Sequence, residues 1–392
     1  MRKLYRSGKN YLRRCTRFVV RRMFFPLVYY IGCLRNIDPK LVVFLNDNVE
    51  GLSDNFAPVM DRLSAEGFRC VHLAKRQGGR IKQYGQLTQY YLLYARARAV
   101  FLVEASLLTS CFRPRRGTLL VQLWHGCGAF KKFGHSSVGS RWGASASYLR
   151  WFPLNRNYTY ACVSSPEVVR HYAEAFGCAP EVIRPWGAPR TDFYFRPGVV
   201  EQCRQQVLDA FPGIGQRKIV VYAPTFRGNS MKRARHDDVI DYEAMAAALG
   251  ENTAFLLKPH PRSRRAIPMP EGETPFIFDA MHLPIEVLLC AADLVITDYS
   301  SLIFEYALLG RPMLFYAYDL ENYAGARDFY YPYLEFIPGD MVWDSEGLID
   351  GIQRNLFEGK FDAARVEAFR EKFMSACDGH STERILKNVL GI

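Results

Sequence analysis

Short runs of leucine, β-branched and aromatic residues, each apolar on both faces, recur along this chain and are separated by amphipathic stretches. Such runs suit strands buried on both sides, and the intervening stretches suit helices that cover them. The first series comprises Leu41 to Leu45, Cys70 to Leu73, Ala99 to Val103, Leu119 to Leu123 and Tyr160 to Val163. Helices are expected at Asn55 to Glu66, Gln89 to Ala97 and Pro166 to Phe176. The rhythm then restarts with Lys218 to Tyr222, Ala254 to Leu257, Phe276 to Phe278, Leu294 to Thr297 and Met313 to Tyr316. Here the expected helices are Tyr242 to Leu249, Pro284 to Ala291 and Ser301 to Leu309. The pattern predicts an α/β protein of two doubly wound, Rossmann-like units, residues 38–195 and 196–392, with the proline- and glycine-bearing segment Pro185 to Gly215 as linker. Two such units facing a cleft would take ligands at the carboxyl ends of their strands.

Ahead of them stands a basic leader, residues 1–37. It holds ten of the 51 lysines and arginines and no acid, so the net charge of +12 falls to +2 for the rest of the chain. A uniformly basic nucleic-acid binder is therefore not expected. In the leader Leu4, Tyr5, Tyr11, Leu12, Cys15, Phe18, Val19 and Met23 recur at three- and four-residue spacings, which predicts an amphipathic interfacial helix. The longest uncharged stretch, Met23 to Leu34, contains Pro26 and falls short of the roughly 20 residues that span a bilayer. An anionic membrane surface is the partner this leader fits, and a solvated helix packed on its own domain is the alternative. The ten cysteines include no C-x-x-C pair and suit a reducing compartment.

The chemistry-bearing residues fall at expected strand exits. After Leu123 comes Trp124-His125-Gly126-Cys127-Gly128-Ala129-Phe130-Lys131-Lys132. An imidazole there can accept a proton from a hydroxyl, Gly126 admits a substrate to the backbone, and the lysines favour an anion. Lys258-Pro259-His260-Pro261-Arg262 follows another strand as a rigid cationic turn that reads as a phosphate grip. Asp298-Tyr299-Ser300-Ser301 opens a helix whose amides and hydroxyls suit a pyrophosphate. Glu305 interrupts the apolar helix that follows and suits ribose hydroxyls. Thr225-Phe226-Arg227 adds an arginine at a further exit. There is no G-x-G-x-x-G after a strand, no P-loop and no zinc-spaced cluster, so no cofactor and no protein-held metal is expected.

Taken in order, Trp124-His125-Gly126 with Lys131-Lys132, Tyr222-Ala223-Pro224-Thr225-Phe226-Arg227, Lys258-Pro259-His260-Pro261, Thr297-Asp298-Tyr299-Ser300-Ser301 with Glu305, Gly310-Arg311-Pro312, and Asp378-Gly379-His380-Ser381-Thr382-Glu383-Arg384 resemble the CDP-glycerol glycerophosphotransferase family of teichoic acid synthesis. The resemblance, closest to short primase-like members, implies a GT-B fold with the nucleotide held mainly by the second domain. It implies catalytic roles for His125, the acceptor's base, and His260. It places the donor diphosphate on Arg227, Lys258, His260, Ser300 and Ser301, the nucleoside on Asp298 and Glu305, and an acceptor rim at Gly126, Lys131 and Lys132. The implied reaction moves an alditol phosphate, glycerol phosphate first, from a CDP-alditol to a lipid-linked acceptor at the cytoplasmic face of the membrane, releasing CMP. Where the family has Thr-Pro-Leu before the lysines this chain has Cys127-Gly128-Ala129-Phe130, a departure on the acceptor side. A GT-B glycosyltransferase and a non-catalytic membrane-bound binding protein are the competing readings.

Overall fold

The computed structural model describes residues 15–46, 51–74, 78–140, 145–225, 240–259, 276–320 and 328–392. The chain divides into two compact units, the first of Met1–Asp192 with Ala376–Ile392 and the second of Phe193–Ser375.

The first unit is built on a six-stranded, wholly parallel sheet. Its strands are β1 (Asp38–Leu45), β2 (Arg69–Leu73), β3 (Ala97–Leu102), β4 (Leu119–Gln122), β5 (Tyr160–Cys162) and β6 (Ile183–Arg184), in the order β2-β1-β3-β4-β5-β6. Leu41, Val42, Val43 and Phe44 are all fully buried, which is why this run shows no alternation. The core also takes Ile385, Leu386 and Val389 from the last helix, Ser381–Leu390. The sequence reading left that helix with the second domain; its apolar stripe instead completes the first core. Asp192 receives it, accepting hydrogen bonds from the backbone N–H of Ser381 (2.9 Å) and Thr382 (2.8 Å). Gly187, at φ +89°, allows the approach, since a Cβ there would lie 2.2 Å from Ser381 Oγ.

The leader, from Cys15, is helical, with a π turn at Val20–Phe24 followed by the α-helix Phe25–Gly32. One face packs on the helix Arg80–Tyr94: Phe25 stacks on Tyr91 (5.0 Å between centroids) and Tyr29 meets Tyr94 (5.0 Å). The opposite face leaves Met23, Leu27 and Ile31 more than half exposed. Leu4, Tyr5, Tyr11 and Leu12 of the expected stripe lie outside the described residues.

The second unit carries another parallel six-stranded sheet, β7 (Lys218–Tyr222), β8 (Thr253–Leu257), β9 (Ile277–Asp279), β10 (Leu294–Thr297), β11 (Met313–Tyr316) and β12 (Asp340–Val342). The order β12-β11-β10-β7-β8-β9 is the Rossmann order, with its switch point between β7 and β10. The expected linker is largely structured. Val199, Cys203 and Val207 form a buried stripe on the helix Val199–Ala210, which supports the sheet of this unit. The helix expected from Gln89 starts at Arg80 instead, behind the N-cap Gly79. The short edge strands β6 and β12 have too few apolar residues to stand out in sequence.

Candidate functional site

In the first unit β4 ends at Gln122, and the chain turns sharply because Trp124 adopts φ +60°. A left-handed tryptophan is strained, so its surroundings must hold it. Its N–H donates to Gln122 Oε1 (2.9 Å) and its carbonyl accepts from Asn55 Nδ2 (3.0 Å). Its ring stacks on Phe133 (5.1 Å) and meets Phe176 edge-on (5.1 Å). Gln122 is itself fully buried, its Nε2 donating to the Glu104 carbonyl (3.1 Å) and to the Tyr158 hydroxyl (3.0 Å). Asn55 is 2% exposed and also accepts from the N–H of Arg190 (3.0 Å).

This turn presents His125 as an exposed side chain. His125 Nδ1 lies 3.1 Å from the carbonyl of Val103, just past β3. A carbonyl can only accept, so Nδ1 carries the proton and, in the neutral ring, Nε2 carries the lone pair. The loop beyond is pinned at both ends: Tyr172 Oη donates to the Gly126 carbonyl (3.1 Å), and the Gly128 N–H donates to Ser164 Oγ (2.9 Å). A Cβ at Gly126 would meet nothing within 4 Å, so the space beside His125 is open. Lys131 and Lys132 follow in the same loop, half-buried.

In the second unit Asp298 sits at the switch point between β7 and β10, 1% exposed. Its Oδ1 accepts from the N–H of Thr225 (2.9 Å) and of Tyr299 (2.6 Å), clamping the two strand exits together. Tyr333 Oη donates to the Asp298 carbonyl (2.9 Å) and Tyr299 Oη to Asp319 Oδ1 (3.0 Å). Ser300 and Ser301 open the helix Leu302–Ala307, with Ser300 half-buried and Ser301 exposed. Glu305, on that helix, is 5% exposed among buried Ile303, Phe304, Tyr306 and Ala307.

Lys258 leaves β8, and its Nζ donates to the backbone carbonyls of Met281 and Leu283. Burial holds its pKa below the ordinary lysine value, against the opposing pull of Glu286 and Asp279. Its ammonium thus braces the loop after β9. Arg227 and His260 lie outside the described residues. The structure adds supporting residues that the sequence does not single out: Val103, Gln122 and Asn55 around the Trp124–His125 turn, Tyr333 on Asp298 and Asp319 on Tyr299.

A family model described as CDP-glycerol:poly(glycerophosphate) glycerophosphotransferase matches residues 27–391. The teichoic acid ribitol-phosphate primase of Bacillus spizizenii is 34% identical over 94% of this chain and 95% of its own length. The teichoic acid glycerol-phosphate primase of Bacillus subtilis is 28% identical over 88% of this chain and 84% of its own. Among solved structures, the wall teichoic acid polymerase TagF with CDPG superposes with a TM-score of 0.77 over 97% of both chains, at 22% identity. The UDP-GlcNAc 2-epimerase of Neisseria meningitidis reaches 0.52 over 90% of this chain and 99% of its own, at 12% identity. The structural likenesses agree with the fold, two parallel-sheet α/β domains of the GT-B kind.

Proposed function

The chain belongs to the CDP-glycerol:poly(glycerophosphate) glycerophosphotransferase family, and from that premise we propose that it transfers an alditol phosphate from a CDP-alditol to a hydroxyl of a lipid-linked acceptor, releasing CMP. His125 Nε2 takes the proton of the acceptor hydroxyl, whose oxygen attacks the alditol-bearing phosphorus. The bond from that phosphorus to the bridging oxygen breaks, and CMP leaves with the bridging oxygen on its phosphate. The observation that carries this reading is the hydrogen bond from His125 Nδ1 to the Val103 carbonyl, which orients the ring and assigns the basic lone pair to Nε2. Ser300 and Ser301 serve the donor diphosphate, with Arg227 and His260 from the same motif set, and His260 shares the catalytic role. Glu305 serves the ribose. Asp298 acts by holding the Thr225 and Tyr299 amides in register, and Lys258 by bracing its loop. Gly126, Lys131 and Lys132 form the acceptor rim.

The sequence reading put glycerol phosphate first. The curated relative named for a ribitol-phosphate primase reaches 34% identity against 28% for the glycerol-phosphate primase, and we take ribitol phosphate as the moved group. The enzyme works as a peripheral protein at the cytoplasmic membrane face. Two features support this: the ten basic residues of the leader, and the exposed apolar face of Phe25–Gly32. Among the described residues no helix is long and apolar enough to cross a membrane.

The test is nucleotide release by purified protein with a membrane-extract acceptor, across CDP-ribitol, CDP-glycerol and a panel of nucleotide sugars. CMP release from CDP-ribitol above CDP-glycerol is the expected result. Faster release from CDP-glycerol restores the first alditol assignment, and UDP or GDP release from a sugar donor overturns the phosphotransferase reading.

A further inference from the structure

Along the leader helix Arg17, Arg21, Phe25 and Tyr29 follow one another at four-residue spacing and so share a stripe. Phe25 and Tyr29 use that stripe to pack on the helix Arg80–Tyr94. One turn earlier it changes from aromatic to cationic, and there the two helices part around a cavity of about 240 Å³. Arg17, Arg21 and Thr16 line one side of it, and Gln83, Tyr84 and Leu87 the other. None of its described lining residues is acidic. Arg21 is half-buried, and among the described residues no carboxylate pairs with it. Arg17 is exposed, with its guanidinium 5.7 Å from the Phe152 ring centroid, so two cations border the cavity with no acid in its described lining, a charge balance that an anion would complete.

The opposite stripe of the same helix indicates where that anion comes from. Val19, Met23, Leu27 and Ile31 also follow at four-residue spacing and are 49%, 61%, 60% and 55% exposed. An interfacial helix sinks such a stripe about 5–10 Å into the headgroup and acyl boundary. A helix is roughly 10–12 Å across with its side chains, so its inner face then lies at the level of the lipid phosphates. The π turn at Val20–Phe24 marks the place where the stripe changes character, and such turns recur at functional sites.

We propose that the cavity bounded by Arg17, Arg21, Gln83 and Tyr84 is a headgroup pocket for an anionic phospholipid of the glycerol-phosphate type, which docks the first unit on the membrane. The proposal rests on the peripheral-membrane reading above and deepens it. The arginines grip the phosphate, Gln83 and Tyr84 offer polar partners to the polyol, and Phe25 and Leu87 form an apolar floor.

The test is flotation of the full chain on phosphatidylcholine vesicles with and without phosphatidylglycerol. The pair Arg17→Ala with Arg21→Ala is compared with a control pair, Arg22→Ala with Arg35→Ala, that removes equal charge from described residues that do not line the cavity. The cavity pair is expected to lose about 30-fold in affinity for the anionic vesicles, and the control pair no more than about 5-fold. Arg21→Lys, which keeps the charge with less risk to the fold, is expected to retain part of the binding. Equal losses from the two pairs would mean diffuse surface charge and would overturn the pocket while leaving the membrane reading intact. Failure of the unaltered protein to float on either vesicle would sink both. Short-chain phosphatidylglycerol below its micellar concentration is expected to raise the melting temperature of the protein more than inorganic phosphate does. Equal protection by phosphate alone would make the cavity a free-anion site and overturn the lipid assignment.

Discussion

The exits of β4 and β10 occupy equivalent places in two parallel sheets, yet they hold their side chains by opposite means. At β4 the chain accepts a left-handed tryptophan, a strain of roughly 1–3 kcal/mol. Ring contacts of Trp124 with Phe133 and Phe176, each worth about 0.5–1.5 kcal/mol, are of the size needed to offset it. At β10 no described residue has positive φ near the turn until Gly310; a buried carboxylate, Asp298, gathers two backbone amides instead. Under the proposed function the difference follows from what each exit has to present. A single base acts only in one orientation and one tautomer, and His125 receives both from one backbone carbonyl. An anion can be met by several donors at once, and Ser300 and Ser301 follow directly on the exit that Asp298 clamps.

Removing His125 breaks the comparison most severely. His125→Ala should lower CMP release by about two to four orders of magnitude and leave donor affinity unchanged. Isothermal titration with a CDP-alditol beside turnover measurements separates the two effects, and unimpaired turnover would take His125 out of the mechanism. The converse belongs to the second unit: Ser300→Ala and Glu305→Ala should each weaken donor binding about 10- to 100-fold. Normal donor affinity in both variants would move the donor site elsewhere.

Both sheets were legible in the sequence because their central strands are buried on two faces and read as unbroken apolar runs, as Leu41 to Leu45 and Leu294 to Thr297 do. β6 and β12, two and three residues long at sheet edges, carry no such run. His125 and Glu305 stood out because a histidine among glycines and a carboxylate among apolar residues are locally anomalous. The residues that orient them did not. Val103 acts through its carbonyl, which every residue has, and the φ of Trp124 is imposed by rings distant in sequence. Asn55 looked like the start of a helix, and its bridge between Trp124 and Arg190 spans 69 residues one way and 135 the other. The docking of the last helix on the first unit was hidden for the same reason, since Asp192 reaches it across 189 residues.

Asn55 offers a finer test of how the first exit is held. Asn55→Ala removes two part-buried hydrogen bonds and leaves the Trp124 carbonyl and Arg190 amide without that partner. Turnover should fall about 10-fold with KM nearly unchanged, because a base displaced by a fraction of an ångström still leaves the donor residues intact. A merely structural role would lower the melting temperature and spare kcat in the protein that remains folded. That outcome would mean the strained turn holds His125 without help from Asn55.

The smallest effect concerns how the second unit stays folded in acid. Asp293 joins β7 to the helix Val199–Ala210: it accepts from the Ile219 amide (2.8 Å), Lys218 Nζ (3.1 Å) and Arg204 Nη1 (3.2 Å). Burial pushes its carboxyl pKa up, but the Ile219 amide and the two cations outweigh it and leave the pKa below the ordinary value. A carboxylate depressed in the folded state stabilises fully above its unfolded pKa of about 3.9, and that contribution fades as pH falls through the lower folded value. Lys218 and Arg204 are 47% and 33% exposed, so solvent screening holds the contribution to about 1 kcal/mol. Urea unfolding of the unaltered protein and of Asp293→Asn should therefore differ by about that much at pH 7 and converge as the pH falls below the ordinary carboxylate range and through the depressed folded value. A difference that persists unchanged into acid would assign the effect to hydrogen-bond geometry rather than charge, and the second unit would then owe its hold on β7 to the same kind of contact that fixes His125 in the first.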